Sequence, residues 1–133
     1  MDTATTQGVK ISVQTSFRGE MSNVKDSNFF FKYFIEIENT NPFPVKLITR
    51  HWKIFDALDV NRFVDGEGVI GEQPVIEPGE VFVYSSGCDL ISETGYMEGF
   101  YDFAQLDHGS DVIVKHFRVK VPRFQLVYPY LLN

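Results

Sequence analysis

Apolar and polar residues alternate with a period of two along most of this chain, the repeat of a strand that buries one face. Val9, Ile11 and Val13 alternate with Lys10, Ser12 and Gln14, which predicts a first strand. Phe29, Phe31, Tyr33, Ile35 and Ile37 alternate with Phe30, Lys32, Phe34, Glu36 and Glu38, which predicts a long second strand with its odd positions toward the core. A third strand over 45–55 places Ile48, Trp52 and Ile54 on one face and Leu47 and Phe55 on the other, and 62–64 reads as a short edge strand. Pro78-Gly79 suits a type II turn that leads into a strand over 81–85. A strand over 96–103 buries Met97, Gly99, Tyr101 and Phe103, with Glu98 and Asp102 outward. The last, over 112–121, turns Phe117, Val119 and Val121 inward and Lys115, Arg118 and Lys120 outward; Pro122 ends it, and 124–132 forms an aromatic tail.

No window of about 11 residues carries a helical period. About seven short strands separated by turn signals predict an all-β fold, a two-sheet antiparallel β-sandwich of immunoglobulin or fibronectin type III kind. Trp52, Tyr33, Ile35, Phe82, Tyr84, Tyr101, Phe117 and Val119 are the expected shared core. The whole of 1–133 is expected to be a single domain, with 1–7 frayed and 18–28 a polar loop.

Composition sharpens this picture. A chain of 133 residues buries enough surface to fold without a disulfide or metal staple, and its 13 Phe, 6 Tyr and 1 Trp favour strands around a thick core. The net charge of −6 argues against nucleic acid or an anionic membrane surface as partner. Cys88 is the single cysteine, so no internal disulfide points to an oxidising compartment. No basic and apolar leader opens the chain and no apolar run approaches the ~18 residues of a membrane helix, so a cytoplasmic location without membrane insertion is expected.

Three patterns carry candidate chemistry. Gly66, Gly68 and Gly71 match a phosphate-binding spacing, but Pro74 and Pro78 deny the loop a following helix, and Glu67 and Glu72 would repel phosphate. A bent connection between strands is the better reading. Asp107, His108 and Asp111 could form a weak metal site, yet Asp, Gly and Ser are turn residues and a solvated hairpin turn outweighs it. His51, His108 and His116 show no metal-ligand spacing, and His51 beside Trp52 reads as a hydrogen-bonded strand residue. The expected state of Cys88 is a buried thiol. Asp59, Asn61 and Asp65 fail the calcium-loop pattern, because Phe63 and Val64 stand where a ligand and a glycine belong. No catalytic residue and no cofactor is assigned.

Five segments in order carry a resemblance. They are Leu47-Ile48-Thr49-Arg50-His51-Trp52; Gly66-Glu67-Gly68-Val69-Ile70-Gly71-Glu72-Gln73-Pro74; Pro78-Gly79-Glu80-Val81-Phe82-Val83-Tyr84-Ser85-Ser86-Gly87-Cys88; Gly95-Tyr96-Met97-Glu98-Gly99-Phe100-Tyr101; and Phe117-Arg118-Val119-Lys120-Val121-Pro122-Arg123-Phe124. With these the chain resembles the ApaG family from Val9 to Asn133. It departs after Asp56, where Ala57-Leu58-Asp59-Val60-Asn61 replaces the family's usual Gly turn. The resemblance implies a fibronectin-type sandwich, an association with cobalt and magnesium efflux, and a family without an established enzymatic activity. A related domain in a eukaryotic F-box protein implies a recognition role.

The functional expectation is therefore a non-enzymatic binding module with a protein partner, whose part in ion efflux is indirect. The alternative is a phosphate- or pyrophosphate-binding protein or hydrolase built on the Gly66–Gly71 loop. Exposed strand edges and the aromatic tail leave room for a homodimer.

Overall fold

In the computed structural model, which describes residues 1–130, the period-two segments become strands of two antiparallel sheets. One sheet has the order β1-β2-β3-β7, formed by β1 (Asp2–Thr6), β2 (Val9–Phe17), β3 (Phe29–Asn39) and β7 (Val81–Leu90). The other has the order β5-β4-β8-β9, formed by β4 (Val45–Asp56), β5 (Arg62–Glu67), β8 (Thr94–Leu106) and β9 (Ile113–Val127). The short β6 (Val75–Ile76) lies beside the start of β4, end to end with β5 along the same edge. Two short 3-10 turns occupy Gly19–Met21 and Val24–Asp26, and no α-helix occurs among the described residues. None of their helices is long and apolar enough to cross a membrane.

The sheets face each other across an aromatic core. Trp52 meets Tyr33, Tyr101 and Phe124 edge to face, with ring centroids 5.8, 6.0 and 5.8 Å apart. Ile35, Tyr84, Phe117 and Val119 are buried with them, whereas Phe82 is half-buried at the rim. One side of the sandwich is closed by β1 and β2 against β9, where Lys120 N–H donates to Thr6 Oγ1 at 3.3 Å. On the opposite side β7 ends one sheet, and β5 and β6 border the other.

Three expectations need correction. Residues 1–7 do not fray, because Asp2–Thr6 pairs along β2 from Asp2↔Val13 to Thr6↔Val9. Pro122 does not end its strand, since β9 runs through it to Val127. There Val121 faces Gly99 and Phe124 faces Met97, so β9 carries one residue more than β8 between these pairs. Proline fits at such a bulge, where no ladder donor is required. The bulge also moves the buried positions from Phe117, Val119 and Val121 to Phe124 and Leu126. The expected tail therefore starts as strand, and its residues 131–132 lie outside the described ones.

The third correction concerns β4. Leu47 faces Phe103 and Thr49 faces Asp102, which leaves Ile48 without a partner as a bulge. Before it Val45 and Leu47 are buried; after it Trp52, Ile54 and Asp56 are. Leu47 thus joins the core with Trp52 rather than standing opposite it, because an extra residue in one strand reverses which face the next residues take.

Candidate functional site

The Ile48 bulge turns more than Trp52 inward. Arg50 shares the parity of Trp52, and it lines a cleft of about 190 Å³ between the sheets with Tyr33, Trp52, Ile70, Tyr84 and Ser86. The bulge is held by the glycine segment. Gly68 N–H donates to the Ile48 carbonyl at 2.8 Å, and the Gln73 side-chain amide donates to the same oxygen at 2.9 Å.

The three glycines occupy different structural places. Gly66 lies in β5 opposite Arg50, and a Cβ there would stand 2.8 Å from the Arg50 guanidinium carbon. Gly68 has φ +58°, and an added Cβ would meet the Glu72 carbonyl oxygen at 1.9 Å. Val69 and Glu72 exchange both backbone hydrogen bonds, at 2.8 and 2.9 Å, around Ile70 with φ 44° and Gly71 with φ 78°. Positive φ at both central residues is the type I′ hairpin turn. The segment after these glycines leads into β6, and the N–H groups of Gly68, Val69 and Glu72 already have backbone acceptors.

Arg50 supplies the positive charge of the cleft. Its Nη1 donates to the carbonyls of Glu67 and Gly68, each at 3.0 Å. Among the described residues its Nε and Nη2 find no acceptor, and no carboxylate pairs with it. The hydroxyl oxygens of Tyr84, which lines the cleft, and Tyr101 lie 2.5 Å apart. Burial raises the pKa of both phenols, and that of Tyr33, above the ordinary tyrosine value. Sequence reasoning did not single out Arg50. Its signal was the even parity that it shares with Ile48, Trp52 and Ile54.

The other candidates are dispersed. Asp107, His108 and Asp111 are exposed in the turn between β8 and β9, where Asp107 Oδ1 accepts the His108 N–H at 3.0 Å. Among the described residues no three His, Cys, Asp or Glu side chains converge as metal ligands. His51 is on the outer face of its sheet, between Asp65 at 2.7 Å from Nδ1 and Asp102 at 3.0 Å from Nε2, and stacked on Phe100. Cys88 is buried, and that burial pushes its thiol up to about 11, with Arg62 partly opposing the shift. Its Sγ accepts from Arg62 Nη2 at 3.7 Å, and this guanidinium also donates to the Asp89 carbonyl.

β7 is also the free edge of its sheet, pairing among the described residues with β3 alone. Between Val81 and Cys88 it holds neither a charged residue nor a proline, the usual guards of an exposed edge. Val81 and Val83 are 52% and 61% exposed, opposite Glu38 and Glu36 of β3. At the β4–β5 tip, where Asp56 is followed by an altered turn, Leu58, Val60 and Phe63 are exposed as well.

Comparison with known proteins agrees with the fold and covers nearly all of the chain. A family model described as the ApaG domain matches residues 19–105. The chain is 40% identical to Protein ApaG of Methylobacterium radiotolerans over 96% of its own length and 94% of that protein. It is 41% identical to Protein ApaG of Thiobacillus denitrificans, with 94% of each chain covered. It is also similar to the crystal structure of an ApaA protein from Bordetella pertussis, with a TM-score of 0.82, 34% identity, and 92% and 94% of the two chains covered.

Proposed function

The chain belongs to the ApaG domain family, and from that premise we propose that it is a non-enzymatic binding module whose free β7 edge takes up an extended segment of a partner protein. The unguarded run from Val81 to Cys88 carries this reading. An unpaired strand offers a row of backbone donors and acceptors, and an extended segment that adds to the sheet satisfies them. Val81 and Val83 supply apolar contact on the outer face, and Glu36 and Glu38 beside them favour basic residues in the incoming strand. Arg62 caps the far end of β7 through the Asp89 carbonyl, which leaves 81–87 as the open stretch. The association with cobalt and magnesium efflux belongs, on this reading, to the partner that the module engages.

A synthetic peptide of alternating lysine and valine tests the proposal. Amide shifts in the labelled protein should move saturably along 81–87, and Val83→Lys should abolish them while leaving the melting temperature unchanged. Shifts confined to other parts of the molecule, or an undiminished response in the Val83→Lys protein, defeat it. Concentration-dependent broadening without peptide would instead show a second copy of the chain on this edge.

A further inference from the structure

Arg50 is a cation on the inward face of a core strand, with a cleft in front of it and no carboxylate beside it among the described residues. Arg50 is half-buried, so its free N–H groups are met by water or by a bound acceptor. Its Nη1 is committed to two carbonyls, which fixes the guanidinium plane over Gly66. The groups without acceptors, Nε and Nη2, are the pair whose parallel N–H bonds match the two oxygens of a carboxylate. Tyr101 has no solvent exposure and, among the described residues, its hydroxyl bonds only to Tyr84. Either hydroxyl can donate in this pair; with Tyr101 as donor, the hydroxyl hydrogen of Tyr84, which also lines the cleft, is available to a bound acceptor.

We propose that this cleft binds a small monocarboxylate, held by the Arg50 Nε–Nη2 fork and the Tyr84 hydroxyl, with its apolar end against Trp52 and Ile70. One guanidinium balances one negative charge. Glu67 and Glu72 stand on the hairpin that borders the cleft, and the net charge of −6 further disfavours a multiply charged anion such as pyrophosphate. A volume of about 190 Å³ admits a short chain and no nucleotide. The site borrows Tyr84 and Ser86 from β7 but uses the inward side of that strand and not its open backbone edge, so propionate should bind the Val83→Lys protein as it binds wild type.

Propionate is the probe, with inorganic phosphate and pyrophosphate in parallel titrations at matched ionic strength, followed by amide shifts. Propionate should shift residues 50, 66–71 and 84–86 saturably, with a midpoint on the order of millimolar for one bidentate pair. Arg50→Gln should weaken it at least about tenfold, and Arg50→Lys, which keeps the charge and loses the fork, should also weaken it. Should the Arg50 variants fail to fold, Tyr84→Phe keeps the guanidinium and should still weaken propionate several-fold. Absence of saturable shifts up to about 100 mM overturns the proposal. So does an unchanged midpoint in every folded variant, or tighter binding of phosphate or pyrophosphate than of propionate.

Discussion

The phenol oxygens of Tyr84 and Tyr101 stand 2.5 Å apart, and this hydrogen bond joins β7 of one sheet to β8 of the other across the core. Tyr101 has no solvent exposure, so without Tyr84 its hydroxyl has no partner among the described residues. Tyr84→Phe should therefore destabilise the protein by about 1–3 kcal/mol, the range for leaving a buried polar group unsatisfied. The double variant with Tyr101→Phe removes both polar groups and should lose clearly less stability than the sum of the two single losses. Urea unfolding of the four proteins checks this, and strict additivity would contradict it.

Alkaline pH should expose the same feature. Burial raises the pKa of Tyr84, Tyr101 and Tyr33 in the folded protein above the value in the unfolded chain. The folded state then holds protons that the unfolded state releases, so stability falls as pH rises. The contribution is complete below about pH 10 and is lost progressively above it. Absorbance at 295 nm should show these three phenols ionising together with loss of the fold. Their ionisation near pH 10 in a protein that remains folded would contradict this.

Cys88 should be a poor nucleophile for a related reason. It is buried, and its thiol is pushed up to about 11, so little thiolate exists near neutrality. Reaction with a disulfide reagent at pH 8 should be slow and should accelerate in urea in step with unfolding. Rapid modification of the folded protein at that pH would show an accessible, activated thiol. The elevated value also means that stability should fall above about pH 8.5, where the unfolded chain's thiol begins to release its proton and the folded one does not.

Much of the fold was visible in the alternation of residues. Phe29 through Ile37 on β3 kept one parity throughout, and these odd positions are buried. The pattern was harder to follow where a strand carries an extra residue. Ile48 in β4 and the Pro122 region of β9 reverse the buried face, so Leu47 was placed opposite the core and β9 was cut short. The site was missed for a different reason: Arg50 already shares the even parity of Ile48, Trp52 and Ile54, but a lone arginine between Thr49 and His51 matches no binding motif. Pairing of the N-terminus was also hidden, because Asp2-Thr3-Ala4-Thr5-Thr6 has little apolar signal and is held by backbone bonds to β2.

The glycine hairpin allows the sharpest separation of backbone geometry from ligand chemistry. Gly71 has φ 78° and open space around its missing side chain, so Gly71→Ala should lose about 1 kcal/mol from backbone conformation alone. Gly68→Ala should lose more, since its Cβ would stand 1.9 Å from the Glu72 carbonyl oxygen at φ +58°. Ile70 offers the opposite sign. It is β-branched, 57% exposed, and held at φ 44°, a conformation that asparagine adopts readily in a type I′ turn. Ile70→Asn should therefore raise stability by about 1 kcal/mol despite removing an apolar side chain. Thermal unfolding of the three variants, with and without pyrophosphate, decides the matter. If backbone conformation governs this hairpin, the order is Ile70→Asn above wild type, then Gly71→Ala, then Gly68→Ala, and pyrophosphate leaves it unchanged. A pyrophosphate-dependent rise in wild type that the glycine variants lose would mean that the loop holds phosphate after all.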